Sequence, residues 1–325
     1  MKELSIIIVS WNACEFLRGC LNSIRTSGCL LVREIIVVDN ASADGSAEMV
    51  ATEFPEVTLI RSNENLGFAR GNNLGIRQAS GTWLALINSD VKVHPGCFEQ
   101  LVGYLEGHTS VGLVGPRVVG RDGQTQPTDW HLPTVWTTAC RSLALDKILL
   151  RSSKRNVKRS MSGNAVNVEV LSGCFWVVRR EAVAQVGGLD ERFFFYAEDL
   201  DWCKRFWDAK WKVVFVPGAS ATHFGGGSSA VAPFRYSIEL LRANLAYWKK
   251  HHGVSGLGVF FFLSVIHHAT RLLLRGMEMI FGRGLDSAYK CRRSLVCLRW
   301  LLTGRGIEEN SVSGNKPIQE TGRAS

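Results

Sequence analysis

The sequence predicts an α/β fold with a largely parallel central sheet, and three observations carry that prediction. Continuous β-branched runs stand at "LSIIIVSWN" and "REIIVVDNAS", amphipathic stretches separate them, and each run stops abruptly on polar residues. Unbroken apolar strands interleaved with helices are buried on both faces, the condition of a parallel sheet covered by helices. In such sheets ligands bind beyond the carboxyl ends of the strands.

Only Met1, Lys2 and Glu3 precede the first run, which is too short, and too polar just after, for a secretory signal, so it is read as the first strand. Cys14 to Arg25 is the first amphipathic helix. The second strand ends at Asp39, "DNASADGS" turns the chain, and Ala43 to Glu53 has helical spacing. "VTLIRS" and "WLALINSD" are shorter strands on either side of "NENLGFARGNNLGIRQASG". Polar clusters therefore close three strands: Ser10 to Asn12, Asp39 to Ser42 and Asn88 to Asp90.

Gly120 to Asn167 loses periodicity and is expected to be a mobile loop partly ordered by substrate. "VEVLSGCFWVVRREAVAQVGGLD" reads as a strand and a short helix stopped at Gly187-Gly188. "FFFYAEDLDWCKRFWDAKW" is an aromatic loop opening into a helix, and "KVVFVPGASATHF" is a strand running out to His223. Phe234 to His252 forms a basic amphipathic helix. The next segment is apolar from Val254 to Ile266, short of the ~20 residues that span a bilayer, and its Arg and His flank suits a helix lying in the interface. After Gly304 the composition is that of a disordered tail. The expected units are 1–233, 234–303 and 304–325.

With 325 residues and 46% apolar content the chain can bury a large core. Its 38 Lys and Arg against 29 Asp and Glu give a net charge of +9, with the excess in Lys147 to Arg159 and Arg271 to Arg305. No aromatic and basic interleaving, helix-turn-helix or zinc-finger spacing accompanies the charge, so a membrane surface is favoured over nucleic acid as the anionic partner. Nine scattered cysteines without a C-x-x-C pair fit buried thiols in a reducing, cytoplasmic compartment.

Each polar cluster has a plain structural reading and a chemical one. Asp39 suits the capping of its turn, and equally a hydrogen-bond acceptor for a base N–H or a ribose hydroxyl. Asp90 suits a β-turn, and equally a divalent cation, because Mg²⁺ or Mn²⁺ takes one or two carboxylates and completes its shell with water and diphosphate oxygens. Glu198, Asp199 and Asp201 open a helix whose dipole favours negative charge by ~0.3–1 kcal/mol each. Three carboxylates in four residues exceed that need, and their repulsion would raise a pKa toward that of a general base. His223 alone is a surface or core histidine; at a strand end among others that carry polar groups it is also a candidate ligand. Gly225-Gly226-Gly227 could let backbone N–H groups approach a phosphate, without a Walker or Rossmann spacing. Gly67, Gly71 and Gly75 allow turns and close packing, while Asn65, Arg70 and Asn72 could line the crevice beside Asp39.

In order, "VSWN", "VVDNASADGS", "NENLGFARGNNLGI", "LINSD", "GCFWVVRREAVAQVGGLDERFFFYAEDLDWCKR" and "ATHFGGGSS" resemble the inverting family 2 glycosyltransferases of GT-A fold, in particular bacterial rhamnosyltransferases acting on lipid-linked glycans. The resemblance covers roughly residues 4 to 250. It implies a Rossmann-like nucleotide-diphospho-sugar fold with a mixed central sheet and a C-terminal helical appendage. It implies donor contacts from Ser10, Asp39, Asn65, Gly67, Asn72 and Ser89, metal ligation by Asp90 and His223 with Mg²⁺ or Mn²⁺, and Asp199 as general base. Asn88 stands where many relatives carry Asp, which lowers the charge of the site. The implied reaction transfers rhamnose from dTDP-rhamnose to a lipid-linked or cell-surface acceptor at the inner membrane face, with polysaccharide biosynthesis as its setting. Alternatives are a UDP-hexose or UDP-galactofuranose donor, or a scaffold that binds a nucleotide sugar without reaction.

Overall fold

The computed structural model describes residues 3–145, 163–225, 233–280 and 284–304. The basic cluster from Lys147 to Arg159, Gly226 and Gly227, and the tail after Gly304 lie outside them. Strands β1 (Leu4–Ser10), β2 (Val32–Asp39), β3 (Thr58–Arg61) and β4 (Trp83–Asn88) alternate with helices α1 (Cys14–Ser27), α2 (Ser46–Glu53) and α3 (Gly67–Gln78). After these come β5 (Val91–Val93), α4 (Cys97–Gly107), β6 (Val111–Val119), β7 (Asp129–Trp130) and α5 (Val135–Ser142). The chain continues through β8 (Val166–Asn167), β9 (Val170–Leu171), β10 (Phe175–Arg179), α6 (Arg180–Val186), α7 (Glu198–Asp208) and β11 (Lys212–His223). Helices α8 (Pro233–Ile280) and α9 (Gly284–Thr303) complete the described residues.

Among the described residues the sheet has nine strands, in the order β3-β2-β1-β4-β10-β6-β11-β5, with β8 added to β11. β3, β2, β1 and β4 run parallel, and β10 enters antiparallel between β4 and β6, so the sheet is mixed as expected. Alternate side chains face opposite layers. Ile6, Ile8, Val37 and Ile87 join one core cluster with α1 and α4 residues, while Ile7, Ile36, Val38 and Leu86 join another with Trp176 and Trp202. Burial on both faces is what made these runs continuous rather than alternating.

The described parts of the stretch from Gly120 to Asn167, residues 120–145 and 163–167, carry more regular structure than their composition suggested. They include β7, paired with β9, and α5, which opens with a Thr134 capping box. A third cluster of Phe193, Ala197, Ala243, Tyr247 and Trp248 packs the first half of α8 onto the loop before α7, so packing runs on across residue 233. At Gly253 the backbone leaves the helical region (φ 69°, ψ −164°) and α8 breaks. Beyond the break the helix continues to Ile280, well past the apolar stretch read from sequence. By length and composition alone the helix Phe234–Met279 is long and apolar enough to cross a membrane, a wider span than the Val254 to Ile266 run read from sequence.

Candidate active site

The carboxyl ends of β1, β2 and β4 meet because Ser10 pairs with Asp39 and Val9 with Asn88. The loops leaving β1 and β2 are laced together. Asn12 N–H donates to Ser42 Oγ (3.0 Å), Ala43 N–H to Asn12 Oδ1 (2.8 Å) and Cys14 N–H to Asp44 Oδ2 (2.8 Å). Asp39 is buried, and its Oδ2 accepts from Ser42 N–H at 3.1 Å, the turn-capping contact that its position suggested. Its Oδ1 has no partner, nor have Ser10 Oγ and Asn40 Oδ1 nearby in sequence or register. A buried acceptor left unmatched costs about 1–3 kcal/mol, so three together make a set that a ligand's N–H and O–H groups would complete.

Asp90 lies in the turn from β4 to β5, and β5 pairs antiparallel with the end of β11, bringing His223 opposite Val91. Phe224 N–H donates to Asp90 O (3.0 Å), and His223 Nε2 stands 3.2 Å from Asp90 Oδ1. Gln126 holds that ring from outside: its Nε2 donates to the His223 carbonyl (3.1 Å) and its Oε1 stands 3.2 Å from His223 Nδ1. A carboxylate and an imidazole held by an outer hydrogen bond are a fitting partial ligand set for Mn²⁺ or Mg²⁺. Among the described residues no three His, Cys, Asp or Glu groups converge, so the rest of any shell would come from ligand and water. Cys20 and Cys174 stay thiols: burial pushes them up to about 12 and about 11, and the Asp90 charge adds to it.

The third component arrives on α7. Tyr196 (φ 74°) and Ala197 (φ 62°) both adopt the left-handed region without being glycine, local strain held at the helix entrance. Gly67 fixes the loop: Phe68 N–H donates to Phe194 O (2.8 Å), and a Cβ on Gly67, itself at φ 73°, would sit 2.4 Å from that oxygen. Asn65 Oδ1 accepts from Gly67 N–H (2.9 Å), and Asn40 Nδ2 donates to Gly67 O (3.0 Å). Asp199, partly buried, accepts from Leu200 N–H (2.8 Å), and burial pushes its pKa up to about 6 against the pull of the helix N-terminus. Glu198 is buried with Oε2 unpartnered, and burial followed by the Asp199 charge raises its pKa well above the usual carboxylate range.

Asp201 behaves otherwise than its place in the carboxylate triplet suggested. It is fully buried on the far side of α7, with Arg205 Nε at 2.8 Å, Lys250 Nζ at 2.5 Å and His251 Nε2 at 2.7 Å. Burial alone would raise its pKa, but those bases hold it low. Two interacting carboxylates remain, not three.

A cavity of about 550 Å³ gathers Asn65, Gly67, Ser89, Asp90, Asp199 and His223, with Asn40, Asn88 and Glu198 beside them. Its far wall holds Trp130, Arg141, and Tyr236, Leu240 and Asn244 of α8. Ser10 and Asp39 lie just behind this wall rather than on it. Asn72 is buried in α3 and donates to Phe68 O (2.9 Å), while Arg70 faces Glu64 (3.4 Å) and Glu191 (3.9 Å), so neither lines the cavity. Sequence reasoning missed Asn40, Gln126 and Asn244. Asn40 was legible beside Asp39, whereas nothing in "DGQTQPT" or along α8 marks the other two.

Residues 5–187 match the family model described as glycosyl transferase family 2. The chain belongs to that family. The matched span ends before α7 and His223. Within the curated proteins, the N-acetylglucosaminyl-diphospho-decaprenol L-rhamnosyltransferase of Mycobacterium tuberculosis is 29% identical over 227 residues, 61% of this chain and 69% of that one. Glycosyltransferase AglE of Haloferax volcanii is 28% identical over 226 residues, 68% of this chain and 66% of that one. Among solved structures, a mannosyltransferase from Pyrobaculum calidifontis in complex with GDP-Man and Mn²⁺ superposes with a TM-score of 0.59 at 14% identity, over 94% of this chain and 88% of that one. GalNAc-T7 with UDP, GalNAc and Mn²⁺ gives a TM-score of 0.53 at 16% identity, over 74% of this chain and 48% of that one. The likeness to these structures, with the mixed sheet, shows the GT-A fold expected of a family 2 glycosyltransferase.

Proposed function

We propose that this family 2 member is an inverting, metal-dependent glycosyltransferase that moves L-rhamnose from dTDP-rhamnose onto a lipid-linked or cell-surface glycan. The observation that carries the reading is a carboxylate poised near neutrality, Asp199, sharing one cavity with the Asp90–His223 pair. Asp199 accepts the proton of the acceptor hydroxyl as that oxygen attacks the anomeric carbon opposite the departing diphosphate, which inverts the configuration. Asp90 and His223 would hold Mg²⁺ or Mn²⁺. When bound, such an ion neutralises charge on the leaving nucleoside diphosphate. Asn65, Gly67 and Ser89 line the cavity and contact the donor, while Ser10 and Asp39, just behind that wall, offer their unmatched oxygens to its base or ribose where the donor displaces the wall. Asn72 supports them from inside α3.

The rhamnose assignment rests on the mycobacterial relative, whose name gives both the sugar and a lipid diphosphate acceptor. A UDP- or GDP-linked hexose is the second reading, favoured by the nucleotides in the solved neighbours. A cytoplasmic protein held to the inner membrane face by α8 and α9 is the matching location. Leu273, Leu274, Met277 and Leu295 are exposed there among Arg271, Arg292, Arg293 and Arg299.

The test is thermal unfolding in Mn²⁺ with dTDP-rhamnose, UDP-galactose, UDP-galactofuranose and GDP-mannose in turn. A donor at a hundred times its Kd stabilises by about 2.7 kcal/mol. Protection by dTDP-rhamnose that disappears in Asp90→Ala is the expected outcome. Indifference to every donor would refute the reading.

A further inference from the structure

Glu198 is a buried carboxyl of the cavity to which the reaction above gives no task. We propose that Glu198 binds the acceptor sugar, its carboxyl O–H donating from Oε2 to a hydroxyl oxygen beside the one that Asp199 deprotonates.

Three observations support this assignment, which rests on the glycosyltransferase reading. The side chain is 7% exposed and lines the cavity, yet Oε2 has no hydrogen-bond partner. A buried polar atom left unmatched on a residue that lines a cavity can be matched by what enters the cavity. Its position selects the acceptor over the donor diphosphate. Glu198 adjoins Asp199 and shares the aromatic wall of Phe195, Tyr196 and Tyr236, whereas Asp90 and His223 mark the diphosphate end. Its protonation selects an uncharged partner oxygen. Burial and the neighbouring Asp199 charge both favour the neutral acid, and a neutral carboxyl can donate where an ionised one only accepts. The strained pair Tyr196 and Ala197 just before it holds the carboxyl where no protein donor reaches Oε2. The pair then divides its labour: one carboxyl keeps its proton to grip the acceptor, and the other gives up its proton to act as base.

The experiment measures sugar transfer from dTDP-rhamnose to a short-chain N-acetylglucosaminyl diphospholipid, and in parallel the slow hydrolysis of the donor by water, in Mn²⁺. Glu198→Gln retains an N–H donor and is expected to keep the acceptor KM within about threefold. Glu198→Ala is expected to raise it tenfold or more, the worth of one lost hydrogen bond with a stranded partner. In Glu198→Ala the loss should fall on the acceptor KM more than on kcat, and donor hydrolysis, which uses no acceptor, should fall less than transfer does. Asp199→Asn should lose transfer and hydrolysis together. Glu198→Gln as inactive as Asp199→Asn would mean that Glu198 works ionised, and Glu198→Ala with the parental acceptor KM would mean that it touches no acceptor; either overturns the proposal. A parent protein that turns over no donor at all would instead overturn the glycosyltransferase reading.

Discussion

Replacing Asp199 by asparagine should make the protein more stable at neutral pH while it abolishes turnover. Burial raises the folded-state pKa of Asp199 from 3.8 to about 6. The folded protein therefore binds this proton more tightly than the unfolded chain. Stability contributed by the bound proton is fully present below about pH 4 and is lost as pH rises through about 6. Two units correspond to about 3 kcal/mol, an order-of-magnitude figure because Glu198 shares the titration. Asparagine keeps the shape and an acceptor oxygen for Leu200 N–H but carries no charge to bury, so it escapes that loss. At about 2 °C per kcal/mol for a chain of this size, Tm at pH 8 should rise by roughly 5 °C. The two proteins should converge near pH 4. Transfer should fall by about 10²–10⁴-fold, the usual contribution of a positioned base. The measurement is thermal unfolding by circular dichroism from pH 4 to 8, paired with a transfer assay. A variant no more stable than the parent at pH 8 would show that the Asp199 carboxylate is well solvated and would remove the reason to cast it as base.

Asp201→Asn should act in the opposite direction. Removing the charge strands Lys250, Arg205 and His251 around a neutral amide, which costs about 3 kcal/mol at pH 7 in denaturant unfolding, and a loss under 1 kcal/mol would mean that these bases are solvated. The outer half of α8 and α9 should bring the protein down with sedimenting vesicles containing phosphatidylglycerol, but less with pure phosphatidylcholine vesicles, and Arg292→Glu with Arg293→Glu should weaken that binding several-fold. Equal sedimentation with both vesicle types would refute a role for these charges.

The parallel half of the sheet was legible because its strands are buried on both faces and so read as unbroken apolar runs between amphipathic helices. The insertion of β10 antiparallel between β4 and β6 was not, since strand order is set by tertiary contacts that leave no local period. Site residues at strand ends were legible for the same topological reason: Asp90 and His223 end polar where their strands leave the core. Asn72 shows the limit of that reasoning. It lies in a polar segment beside the crevice, yet helical periodicity turns it inward to bond its own helix. Asp201 shows another limit. The sequence places it two residues from Asp199, but that spacing in a helix rotates it by about 200° onto the opposite face, where Lys250 and His251 arrive from forty-nine and fifty residues away.

Gly253 divides α8 into an inner half that forms part of the cavity and an outer half that does not. The inner half is a ruler. About nine residues separate Asn244, on the cavity wall, from the break, and at 1.5 Å per residue they set a spacing of about 14 Å. If the outer half rests on lipid, that spacing sets how far above the headgroups the cavity stands, and hence how far an acceptor anchored there must stand out of the bilayer to be reached.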